Sequence, residues 1–110
     1  MIQDQIDQIE SKLQNADGLS AETRTELLTL LAELKVHVAE LSKTDAAGAN
    51  SVAGFAAASA QEATRTPRQP EELDSAIQEL TGSVSGLEAS HPRLVEVVNR
   101  IAVALSNMGI

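Results

Sequence analysis

Four segments of the chain carry apolar residues in an unbroken alternation of four and three. They are Ile2, Ile6, Ile9 and Leu13; Leu27, Leu31, Leu34, Val38 and Leu41; Leu73, Ile77, Leu80, Val84 and Leu87; and Leu94, Val98, Ile101, Leu105 and Met108. A spacing near 3.5 residues puts each set on one side of an α-helix, as a seam that only another helix can cover. The chain is therefore expected to be all-α, a helical bundle with heptad-like packing. The pattern dictates how the chain packs and is silent on what it does.

The apolar fraction of 43% overstates the core, because 17 of those 47 residues are alanines with little surface to bury. The rest are nearly all Leu, Val and Ile, each contributing roughly 1.5–3 kcal/mol when fully buried. Against that stands a backbone entropy cost of about 1–2 kcal/mol per ordered residue. A thin bundle on this scale gains by covering more surface against a second copy, so a homo-oligomer, most simply a dimer, is expected.

The net charge is −8, with 16 acidic and 8 basic residues, a single aromatic (Phe55) and no cysteine. Nucleic-acid binding needs a Lys/Arg stripe and, for single strands, stacking aromatics. Neither is in the sequence. An anionic membrane would repel the chain, and no apolar run approaches the roughly 18 residues that read as a spanning helix. The expectation is a cytoplasmic protein without nucleic-acid or membrane partners. The first residues, acidic at Asp4 and Asp7, do not resemble a signal peptide.

The corners divide the chain. A first helix from Ile2 is expected to close at Asp17 with Gly18 as its left-handed cap, and Ser20 caps a second helix running to Leu41 or Ser42. Residues 1–43 thus form an antiparallel hairpin. Residues 44–65 are alanine-rich, with Val52, Ala56, Ser59 and Ala63 at the four-three spacing. They form a third helix, starting near Asp45 or Ser51, or else a linker. Thr66-Pro67-Arg68-Gln69 is a break, and Pro70 opens a fourth helix expected to reach Ala89. Ser90 or His91 caps a last helix starting at Pro92, with Gly109 as its C-terminal cap and Ile110 folding back on Leu105. Residues 70–110 make a second hairpin, and the whole of 1–110 is one domain.

Candidate sites are few. Glu88 and His91 have the Glu-x-x-His spacing of di-iron bundles, but His37, the other histidine, has Leu34 at that offset. The plainer role for His91 is to bond free backbone groups at the corner. His37 lies between Glu33 and Glu40 on one helix side, a spacing that suits either a shared divalent cation or a solvated polar face. Arg65, Arg68 and Arg93 lie near the corners and could clamp a phosphate, though complementing an acidic neighbour is the simpler role. No cysteine, nucleophile elbow or paired carboxylates in an evident cleft support catalysis, so the chain is read as a non-enzyme with no cofactor.

The fourth helix holds the expected interface. Leu73, Leu80 and Leu87 alternate with β-branched Ile77 and Val84, the preference of two-stranded zippers, so this helix is expected to meet its symmetry mate. Gly82 and Gly86, four apart on the opposite side, either admit close approach of another helix, with the alanine-rich segment as natural partner, or are a tolerated pair of surface glycines that weakens the helix.

Leu87-Glu-Ala-Ser-His-Pro-Arg-Leu94 followed by Leu105-Ser-Asn-Met-Gly-Ile110 resembles the closing hairpin of a small bacterial family catalogued as a domain of unknown function, family 4404. Glu62-Ala-Thr-Arg65 is similar to that family as well. The resemblance implies an all-α fold and carries no activity, substrate, cofactor or functional residue. Two functions remain open: a self-associating helical scaffold or protein-interaction module, and a bundle binding a small ligand or divalent metal through His37, Glu33 and Glu40 or through Glu88 and His91.

Overall fold

The computed structural model describes residues 2–15, 19–65 and 69–108, with side chains described from Asp4 to Asn107 within those spans. Five helices follow one another: α1 (Ile2–Asn15), α2 (Ala21–Ser42), α3 (Ala46–Ala63), α4 (Pro70–Gly82) and α5 (Pro92–Met108). The protein is an all-α bundle, 38 × 24 × 22 Å along its principal axes. The expectations placed on Gly18, Pro67, Arg68, Gly109 and Ile110 lie outside the described residues.

α1 and α2 run antiparallel. Lys35 reaches Asp7 at 2.7 Å and Glu10 at 2.9 Å, while eleven residues earlier Arg24 Nε donates to the Leu13 carbonyl at 3.2 Å. Ile6, Ile9 and Leu13 are buried beneath this polar edge. Ser20 starts α2 by accepting the Thr23 N–H on its hydroxyl, the interaction that makes serine a favoured N-cap. Every described seam residue of α2 is buried, whereas Val36, off the seam, is 61% exposed.

The alanine-rich segment is a packed helix and the hub of the bundle. α3 touches each of the other four helices, and α2 and α5 also pack on each other. Its buried side is Ala49, Val52, Ala53, Ala56, Ser59, Ala60 and Ala63. Small side chains are what let one rod have four neighbours, because each neighbour's larger leucines and isoleucines fill the space the alanines leave. Asp45 caps α3 by accepting the Gly48 N–H at 2.9 Å.

α4 stops at Gly82, seven residues short of the expected end at Ala89. The helical ladder gives way to three-residue turns, with Val84 N–H bonding Thr81 O, Ser85 N–H bonding Gly82 O and Leu87 N–H bonding Val84 O. Gly86 sits at φ +92°, a left-handed conformation that favours glycine. Two glycines, two serines and a valine in Gly82–Gly86 all weaken a helix, and the apolar seam conceals this because Val84 stays buried through the turn. The His91 carbonyl then accepts the Val95 N–H, and Pro92 opens α5 as expected.

The glycine pair does not do what its spacing suggested. A Cβ on Gly82 or Gly86 would meet nothing within 4 Å among the described residues, so no described helix, α3 included, approaches there. Because α4 has already ended, Gly86 belongs to a turn and not to the face that carries Gly82. The seam of the same helix is consumed inside the chain: Leu73, Ile77, Leu80 and Val84 are buried and Leu87 packs half-buried on the core. A second copy could reach those residues only if the helix lifted off its neighbours.

Candidate functional site

The antiparallel packing of α2 on α5 leaves a furrow on the surface. At one end Glu22, Thr23 and Glu26 face Ala104 and Asn107 around a volume of about 260 Å³. In the middle Glu26 and Leu30 face Val95, Glu96, Asn99, Arg100 and Val103 around about 670 Å³. At the far end His37 and Glu40 face Ser90, His91, Pro92, Arg93 and Leu94 around about 330 Å³.

The three stretches differ in chemistry because the off-seam residues of the two helices differ along their length. The middle has an apolar floor: Leu30 is nearly covered, Val95 half-buried and Val103 is 61% exposed. Its rim carries the Glu96–Arg100 ion pair, one helical turn apart at 2.9 Å. The Glu22 end is acidic. The opposite end brings together both histidines of the sequence and Arg93.

The sequence had placed His37 and His91 in separate candidate sets. The fold puts them, with Glu40, around one concavity. Their expected partners do not follow. Glu33 is exposed on α2 and does not line the concavity, and Glu88 turns back to accept the Gly86 N–H at 2.8 Å. Glu40 pairs with Lys43 at 3.3 Å. Among the described residues no three His, Asp or Glu side chains stand together closely enough to share a metal ion. Of the arginines, Arg65 is held by Glu62 at 3.0 Å on α3, away from the furrow, and Arg93 lines the histidine end. Arg68 lies outside the described residues.

Sequence reasoning missed the middle of the furrow. Val95, Asn99, Arg100 and Val103 lie off the Leu94–Val98–Ile101–Leu105 seam, where heptad spacing assigns residues to solvated surface. The available signal was Val103 itself, a large apolar residue on the face that also carries Glu96 and Arg100. No described helix is long and apolar enough to cross a membrane.

A family model described as "Domain of unknown function (DUF4404)" matches residues 2–110. No curated protein and no solved structure matches the chain.

Proposed function

We propose, for a chain that belongs to the DUF4404 family of unknown function, that it works as a non-enzymatic, self-associating helical interaction module in the cytoplasm. The observation that supports this most is the furrow between α2 and α5, whose apolar floor and exposed Val103 stand inside a charged rim. An apolar strip ringed by polar groups is the anatomy of a protein contact surface. Light scattering over a concentration series tests the reading, alongside thermal melts at each concentration. Association stabilises the folded chain by mass action, so the melting temperature should rise with concentration. A monomer at every concentration with a constant melting temperature would remove self-association from the proposal.

One observation favours a second reading, a small-ligand or divalent-metal site: His37, His91 and Glu40 share a concavity, although a cation would have to draw their side chains together to be held by all three. Under that reading added zinc or manganese raises the melting temperature, and His37→Ala or His91→Ala cancels the rise.

A further inference from the structure

We propose that α4 is a detachable cover over a helix-receiving groove on α3 and α5, and that the groove accepts a partner helix with α4's own spacing of aliphatic residues. This rests on the interaction-module reading above and names a receiving surface and the kind of segment that fills it.

α4 can leave without dismantling the bundle. Among the described residues it touches α3 and α5 and no other helix. Without it, α1, α2 and α3 still pack on one another in all three pairings, and α5 still packs on α2 and α3.

The hold on α4 is weaker than the hold on α1, the other helix with two neighbours. Lys35 and Arg24 tie α1 to α2 through two carboxylates and a backbone carbonyl. Among the described residues one side-chain hydrogen bond joins α4 to a neighbour, from Ser59 Oγ to the Ala76 carbonyl, and its proton is shared with Phe55. Glu71, Glu72, Asp74 and Glu79 are exposed, carry half of the chain's net charge of −8 and form no ion pair among the described residues. Ser20 and Asp45 cap α2 and α3 with their side chains, whereas Gln69 makes no such bond at the start of α4. At the other end turns replace the helix, and Gly86 at φ +92° offers a pivot. Apolar contact is what seats α4. Elements held in this way open locally, well before the whole fold does.

The helix now in the groove specifies what else fits. α4 presents Leu73, Ile77 and Leu80 at the four-three spacing, with Ala76 beside Ser59, and all four residues are buried. Beneath it lie the small side chains of α3. A replacement must be an amphipathic helix with large aliphatics at those three steps and a small residue where Ala76 lies. α4 is then an internal competitor. A partner gains the groove only when α4 opens, so weakening α4 raises the partner's affinity.

Native-state hydrogen exchange on the full chain reads the opening. The amides of α4 should share one opening at least about tenfold more populated than the one that exposes α2 and α3. Leu80→Ala weakens the seat, and circular dichroism should show the loss of α4 alone, the other four helices remaining. A synthetic peptide of residues 69–87 should bind this variant by fluorescence anisotropy and raise its melting temperature. It should bind the parent at least about tenfold more weakly, because there α4 competes. The same peptide with Leu73→Ala and Ile77→Ala should bind neither. If α4 exchanges only together with the rest of the bundle, it is a fixed part of the core and the inference is overturned. A Leu80→Ala chain that loses α4 and ignores the peptide overturns it as well. Either result leaves the concentration dependence of the parent's melting temperature to decide self-association by itself.

Discussion

Ser59 Oγ lies 3.0 Å from the carbonyl oxygen of Ala76, joining α3 to α4 through a hydroxyl with no solvent exposure. The same oxygen is 2.8 Å from the Phe55 carbonyl one turn back, so its single proton is shared between two acceptors. Both carbonyls lie inside helices and already accept a backbone N–H. Removing the hydroxyl therefore strands no acceptor, and Ser59→Ala should cost less than about 1 kcal/mol. Ser59→Leu should cost more, about 1–3 kcal/mol, because α3 and α4 meet over a small side chain. Urea unfolding of the two variants checks the order. If Ser59→Ala proves the worse of the two, the hydrogen bond and not the size of the side chain governs this contact.

Gly82 and Gly86 should respond to alanine with opposite signs. Gly82 is helical and faces open space, so Gly82→Ala should raise stability by about 0.5–1 kcal/mol. Gly86 also faces open space, but its φ of +92° suits no side chain. Gly86→Ala should lower stability by roughly 1–2 kcal/mol. Thermal melts of the pair separate backbone conformation from packing, since neither alanine meets a neighbour.

Asp45 and Gly48 are coupled. The carboxylate caps α3 by accepting the Gly48 N–H, and a Cβ at Gly48 would collide with that same carboxylate. Asp45→Ala alone should lose about 0.5–2 kcal/mol. Gly48→Ala should give less than the usual gain of about 1 kcal/mol in the parent and recover it once Asp45 is alanine. A double-mutant cycle measures the coupling, and strict additivity would mean that the carboxylate moves aside without losing its cap.

Lys35 holds α1 to α2. Its hydrogen bonds to Asp7 and then Glu10 raise its pKa above the ordinary lysine value. A raised lysine pKa stabilises the fold fully below the unfolded value of about 10.4 and loses that contribution as pH climbs through the folded value. The side chain is one-third exposed and Asp7 more than half, so the contribution stays below about 1 kcal/mol. Lys35→Met should be slightly less stable than the parent at neutral pH, and the difference should vanish once the pH has climbed past the raised folded value. A difference that persists at that pH would assign the loss to packing of the methylene stem.

Much of the fold was legible because seams and corners are local. The four-three runs, the Ser20 cap and the prolines at positions 70 and 92 depend on neighbours within a turn or two, and the helices began where those signals lie. The early end of α4 was legible too, in Gly82-Ser-Val-Ser-Gly86, but a seam that continued through Val84 and Leu87 outweighed it. The furrow was harder to see, since His37 and His91 come from different helices and only the facing of α2 on α5 makes them neighbours.

The sequence by itself determined that this chain must be a bundle of amphipathic rods, because aliphatic stripes at helical spacing can leave water only against one another. Tertiary structure decided which rod lies in the middle. A helix whose buried side is alanines with one valine and one serine looks too weak to organise anything when its apolar surface is counted, yet its thinness lets four helices approach it at once. Tertiary structure also decided which apolar residues remain for a partner: the α4 seam is spent on the core, and Val103 is left facing water across from Leu30. That outcome depends on how close helices can come, a property of facing pairs that no single run of residues contains.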